Sequence, residues 1–116
     1  MLALVIVAAI AAPAVALAHA HLQRASPPAG SIAPAAPTEV TLWFTESLEA
    51  KFSSIEVRDA KGAAVQAGAA TLAPGNTAQL RVALKPLAPG TYRVIWRVLS
   101  VDTHRSRGEF TFRVGP

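Results

Sequence analysis

Hydrophobic and polar residues alternate with a period of two through most of the chain. Val40, Leu42 and Phe44 face one way, and Thr41, Trp43 and Thr45 the other. Ile55 and Val57 alternate with Glu56 and Arg58, up to a turn at Asp59-Ala60-Lys61-Gly62. Leu80, Val82 and Leu84 alternate with Arg81 and Ala83, a long strand runs from Tyr92 to about Ser100, and Phe110, Phe112 and Val114 close the chain with Thr111 and Arg113 outward. Turn signals separate these runs at Gly62, at Pro74-Gly75-Asn76 and from Pro86 to Gly90. No stretch has a convincing helical period; Ser47 to Phe52 comes nearest, with room for one turn. Residues 22–37 carry four prolines, at 27, 28, 34 and 37, and read as a first edge strand with a long turn.

About seven short strands at spacings of roughly 8 to 12 residues predict an all-β fold, an antiparallel Greek-key sandwich. Leu87-Ala88-Pro89-Gly90-Thr91-Tyr92 has the form of a tyrosine corner, in which the phenol bonds back to the loop before its strand. Trp96 falls on the core parity of the long strand. Trp43 lies on the polar parity of its own, which predicts partial exposure or packing under a loop.

The first eighteen residues, Met1 to Ala18, hold no charge and only Pro13 outside the apolar set. An apolar run ending in small residues reads as a secretory signal, which makes 1–18 a signal peptide and 19–116 the mature domain. Ala16-Leu17-Ala18 would release His19 as the N-terminus, and Ala18-His19-Ala20 would release His21. No Lys or Arg precedes the run, and an uncleaved anchor is the alternative. Of the 116 residues 52% are apolar; without the leader the fraction falls to about 44%, ordinary for a soluble globular domain. The absence of cysteine excludes disulfides, thiolate sites and Cys nucleophiles. Export without cysteine suits a bacterial periplasm or exterior. The net charge is +4, with basic residues scattered from Arg24 to Arg113 and only Arg105 and Arg107 close together in sequence. Nucleic-acid binding would want a clustered patch with interleaved aromatics, and is not expected.

The candidate chemistry lies at the two ends of the mature chain. His19, His21 and His104 are its histidines, and His104 follows Asp102 by two residues. On a strand an Asp-x-His pair would share one face, about 6.8 Å apart, and could converge on an ion above the sheet. An N-terminal histidine adds its α-amine, which titrates near pH 7.7 to 8.0 in model peptides, so that a metal binding at neutral pH can displace its proton into water. Amine, imidazoles and a carboxylate make a nitrogen- and oxygen-rich set that suits tetragonal Cu(II). Cu(I) would want thiolate or thioether, and the one methionine is the initiator.

His19-Ala20-His21-Leu22, Ser26-Pro27-Pro28-Ala29-Gly30, Leu42-Trp43-Phe44-Thr45-Glu46, Leu87 to Val94, Trp96 to His104, and Gly108-Glu109-Phe110-Thr111-Phe112 together carry a resemblance of the mature sequence to the CopC family of periplasmic copper-resistance proteins. It implies an Ig-like or cupredoxin-like sandwich that binds Cu(II) through the amine and ring of His19, with Asp102 and His104. It further implies Glu46 as an outer partner of the site, an N-terminus at His19, and His21 as an idle or weak extra ligand. A CopD-like inner-membrane copper transporter is the implied partner of a monomer that sequesters or delivers copper and is not an enzyme. Three departures stand out. The usual Asp-Gly-His is Asp102-Thr103-His104, Arg105 and Arg107 place positive charge beside the cation if they point inward, and a Met-rich segment is missing. Two other functions compete: a copper-dependent oxidative enzyme, for which about 98 residues leave little room, and a metal-free Ig-like interaction module.

Overall fold

The alternating segments become strands of two stacked sheets in the computed structural model, which describes Ala3 and residues 20–116. The expected signal peptide, save Ala3, and His19 lie outside the described residues. The strands are β1 Leu22–Ser26, β2 Ile32–Ala33, β3 Glu39–Phe44, β4 Ser54–Arg58, β5 Thr71–Ala73, β6 Asn76–Ala83, β7 Gly90–Leu99 and β8 Arg105–Val114. One sheet has the order β1-β3-β6-β5, the other β2-β8-β7-β4. All pairings are antiparallel except that of β2 with β8.

The core lies where the alternation predicts it. Val40, Leu42, Phe44, Leu80 and Val82 are buried on the first sheet, and Ile55, Val57, Val94, Trp96, Val98, Phe112 and Val114 on the second. Phe44 meets Trp96 edge-on across the sandwich, ring centroids 5.2 Å apart, the arrangement that aromatic quadrupoles favour. A β-carbon at Gly108 would lie 2.4 Å from the Trp96 ring, so only glycine fits there. The tyrosine corner forms: the Tyr92 hydroxyl donates to the Ala88 carbonyl at 2.5 Å.

Two expectations need correction and two are sharpened. The proline-rich segment holds two strands rather than one. β1 edges the first sheet and β2 the second, because the chain crosses between sheets through Pro27, Pro28 and Gly30, the last at φ +72°. Residues 47–52 form a short 3-10 turn only at Ala50–Phe52. Thr41, expected outward, is buried, and its hydroxyl donates to Glu39 at 3.3 Å. Trp43, expected to be partly exposed or packed under a loop, is half-buried beneath the Arg24 guanidinium, which lies 4.1 Å from the ring centroid.

Candidate metal centre

β7 and β8 pair down to Leu99 opposite Arg105, so Ser100 to His104 close a hairpin. Asp102 and His104 therefore sit in a turn, not on a strand face as expected. The Ser100 amide donates to the His104 carbonyl at 2.9 Å, and the Thr103 amide to the Ser100 carbonyl at 2.9 Å. The chain reverses at Thr103, whose φ is +72°, a region that threonine enters only at a cost. The reversal brings the two side chains closer than a strand would: His104 Nδ1 is 3.4 Å from Asp102 Oδ1. Both are about half exposed, 46% for Asp102 and 45% for His104, so an ion can reach them from solvent.

Ser100 organises the turn from below. It continues the inward parity of Tyr92, Val94, Trp96 and Val98, and it is fully buried. Its hydroxyl donates to Asp102 Oδ1 and lies 3.3 Å from the donating His104 amide. That hydroxyl is the main reason the Asp102 carboxyl sits below its ordinary range. Desolvation opposes it, and the bond and charge of His104 lower it further. A lone serine on the buried parity of an apolar strand end was the sequence signal for this role, since a buried hydroxyl needs a partner.

The N-terminal segment is fastened to the same end of the sandwich. Ser106 Oγ donates to the Ala20 carbonyl at 2.9 Å, two residues past His104. Ala20 is buried. The His21 amide donates to Thr45 Oγ1 at 2.9 Å, and the Thr45 amide to the His21 carbonyl at 3.0 Å. The chain that follows then holds the hairpin: the Val101 amide donates to the Ser47 carbonyl at 3.0 Å, and the Glu49 amide to the Leu99 carbonyl at 2.8 Å. Residues 45–49 thus grip both the N-terminal segment and the turn, with half-buried Glu46 inside the grip.

Among the described residues, Asp102 and His104 are brought together, and no third His, Asp or Glu joins them in a metal-binding group. His21 is exposed, and only its backbone engages Thr45. His19 lies outside the described residues. Arg105 and Arg107 are exposed on the outward parity of β8, so they do not point between the sheets. The pair that forms offers an imidazole nitrogen and a carboxylate oxygen, donors that fit Cu(II).

A family model described as the CopC domain matches residues 22–115. The copper resistance protein C of Escherichia coli is 41% identical over 106 residues, covering 85% of this chain and 83% of that protein. The crystal structure of CopC from Methylosinus trichosporium OB3b superposes with a TM-score of 0.80 at 36% identity, covering 84% of this chain and 95% of that one. PcoC from Escherichia coli, described as a methionine-rich copper resistance protein, superposes with a TM-score of 0.70 at 38% identity, covering 84% and 99%. With this sandwich, this hairpin and these matches, the chain belongs to the CopC family.

Proposed function

We propose that this protein is a periplasmic Cu(II) carrier that holds copper as cargo, for sequestration or for delivery to a membrane partner of the CopD type. The observation that carries the reading is the half-exposed Asp102–His104 pair, held by buried Ser100 at the end where Ala20 is tied to Ser106. The resistance named for the relatives agrees with it. The proposed ligands are the amine and ring of His19, with Asp102 and His104. Ala20, the residue that follows His19 in sequence, is tied to Ser106 beside the turn. The chemistry is capture and release. The amine would release its proton to water on coordinating the ion, and the open face of the turn would let an incoming ligand displace the protein's own. The one methionine is Met1, outside the 19–116 domain, so the site favours Cu(II) over Cu(I). His21 is expected to remain idle, Glu46 to steady the site from residues 45–49, and the carrier to act as a monomer without catalytic turnover.

The test is a Cu(II) titration of the exported protein, with its N-terminus read by intact mass. Release at His19 and a rise in melting temperature on copper addition are expected, because a ligand that binds only the folded state stabilises it. One residue added before His19 should remove most of the affinity. Unchanged affinity would rule out the amine chelate.

A further inference from the structure

The basic residues that look scattered in sequence are gathered by the fold. Outward positions on the β2-β8-β7-β4 sheet hold Arg58 on β4, Arg93 and Arg97 on β7, and Arg105, Arg107 and Arg113 on β8. Glu56 and Glu109 are the acids of the same face. Six arginines against two glutamates leave +4, which is the whole net charge of the chain. The rest of the surface is balanced. Along β8 alone, Arg105 to Arg113 extend about 27 Å.

This arrangement costs stability. Arg97 stands directly opposite Arg107, and Arg58 opposite Arg93, and like charges facing each other across a ladder are unfavourable. Glu56 relieves part of it, 3.1 Å from Arg58 and 3.6 Å from Arg97. A solvated face needs no such crowding of one sign. A second feature points to what the face meets. Among the described residues the exposed large hydrophobics are Ile32, Phe52 and Val101, at 65%, 56% and 52%. All three border this face. Ile32 pairs with Arg113 at one end, Phe52 shares a shallow depression with Arg97, Arg105 and Arg107 at the other, and Val101 lies in the adjoining turn.

We propose that the outer face of the β2-β8-β7-β4 sheet docks on an anionic phospholipid surface. A broad plane of cations attracts a surface of anionic headgroups, and apolar side chains at its rim enter the boundary beneath them. An acidic protein would match the charge, but protein interfaces gather apolar residues at a central core inside a polar rim, whereas here they stand at the ends of a charged plane. Docking brings the Ser100–His104 hairpin, beside Phe52 and Val101, to the rim of the contact. The interaction does not depend on copper, so it stands or falls apart from the carrier reading.

The experiment is flotation of the copper-free exported protein with vesicles of phosphatidylcholine alone or mixed with phosphatidylglycerol. Binding to the mixed vesicles only, weakening as salt is raised, is expected. The Arg97→Gln/Arg107→Gln double variant should partition about 30-fold less, at about fivefold per arginine. Its melting temperature should equal or exceed the parent's, since a like-charge pair is removed. The Arg81→Gln/Lys85→Gln variant loses the same charge from elsewhere and should bind as the parent does. Phe52→Ser should weaken binding at constant charge. Any retained leader is common to every variant, so the differences remain readable. Equal binding to both vesicles, equal loss from the two double variants, or retention on an acidic protein without retention on vesicles overturns the proposal.

Discussion

The two turns that bound β7 are built in opposite ways. At its start, the loop from Leu87 enters the strand through Gly90, at φ +154°, and is closed by the buried Tyr92 phenol on the Ala88 carbonyl. The residue with unusual backbone is glycine, and the locking group points inward. At its end, the unusual backbone belongs to Thr103 at φ +72°, and the groups at the tip, Asp102 and His104, point half into solvent. One turn spends its polar group on the fold. The other accepts a strained residue and leaves its donors available, which is where strain is expected when a site is at stake. Only the buried Ser100 beneath the second turn does structural work like that of Tyr92.

Five substitutions would break or sharpen that contrast. The largest effect is expected from His104→Ala or Asp102→Ala, each lowering Cu(II) affinity by on the order of 100-fold, the upper end of what even supporting partners contribute. Calorimetry should show that loss; melting curves should change little for His104→Ala and by up to about 1 kcal/mol for Asp102→Ala, which removes the acceptor of the buried Ser100 hydroxyl. Next comes Ser100→Ala, which strikes both functions of the second turn. Affinity should fall about tenfold and stability by about 1 kcal/mol. The Asp102 carboxyl should also titrate closer to its ordinary range. With Ser100 present its folded-state pKa is lowered, so its favourable interactions are complete above the unfolded value and disappear as pH falls through the lowered one. NMR titration of the side chain checks the direction. Tyr92→Phe should cost about 1 kcal/mol, a drop of roughly 4–8 °C for a domain of this size, with copper binding intact; a parallel loss of affinity would dissolve the distinction between the turns. The smallest effect is Thr103→Gly. Relief of the positive φ should stabilise by about 0.5–1 kcal/mol, reduced by the greater freedom of glycine in the unfolded chain. The lost Thr103 Oγ1 bond to the Asp102 carbonyl, 2.6 Å long, trims the gain further.

The strands were legible because burial follows a two-residue period, and Val40, Leu42, Val57, Leu80, Val82 and Phe112 all obey it. The tyrosine corner was legible because its loop and aromatic are contiguous. Thr41 and β2 were not. A buried hydroxyl with a neighbouring carboxylate looks outward by parity, and a two-residue strand carries too few positions to show a period. The Asp102-x-His104 pairing was legible as a candidate motif, but its geometry was not. Alternation carried through Ser100 suggests that the strand continues, whereas the register of β7 on β8 ends it at Leu99. Least legible was the charge. Arg58, the Arg93 and Arg97 of one strand, and Arg113 come from separate parts of the sequence, and only the pairing of β4, β7 and β8 puts them on one plane.

The hydrogen bond from Ser106 to Ala20 joins residues 86 positions apart. Contacts of such separation require most of the intervening chain to be in place, and they are slow to form. The end of the sandwich where copper would sit is thus expected among the last parts to assemble, after both sheets have closed. Copper uptake then reports completed folding: a chain caught part-way would hold Asp102 and His104 near each other and still lack the N-terminal segment beside them.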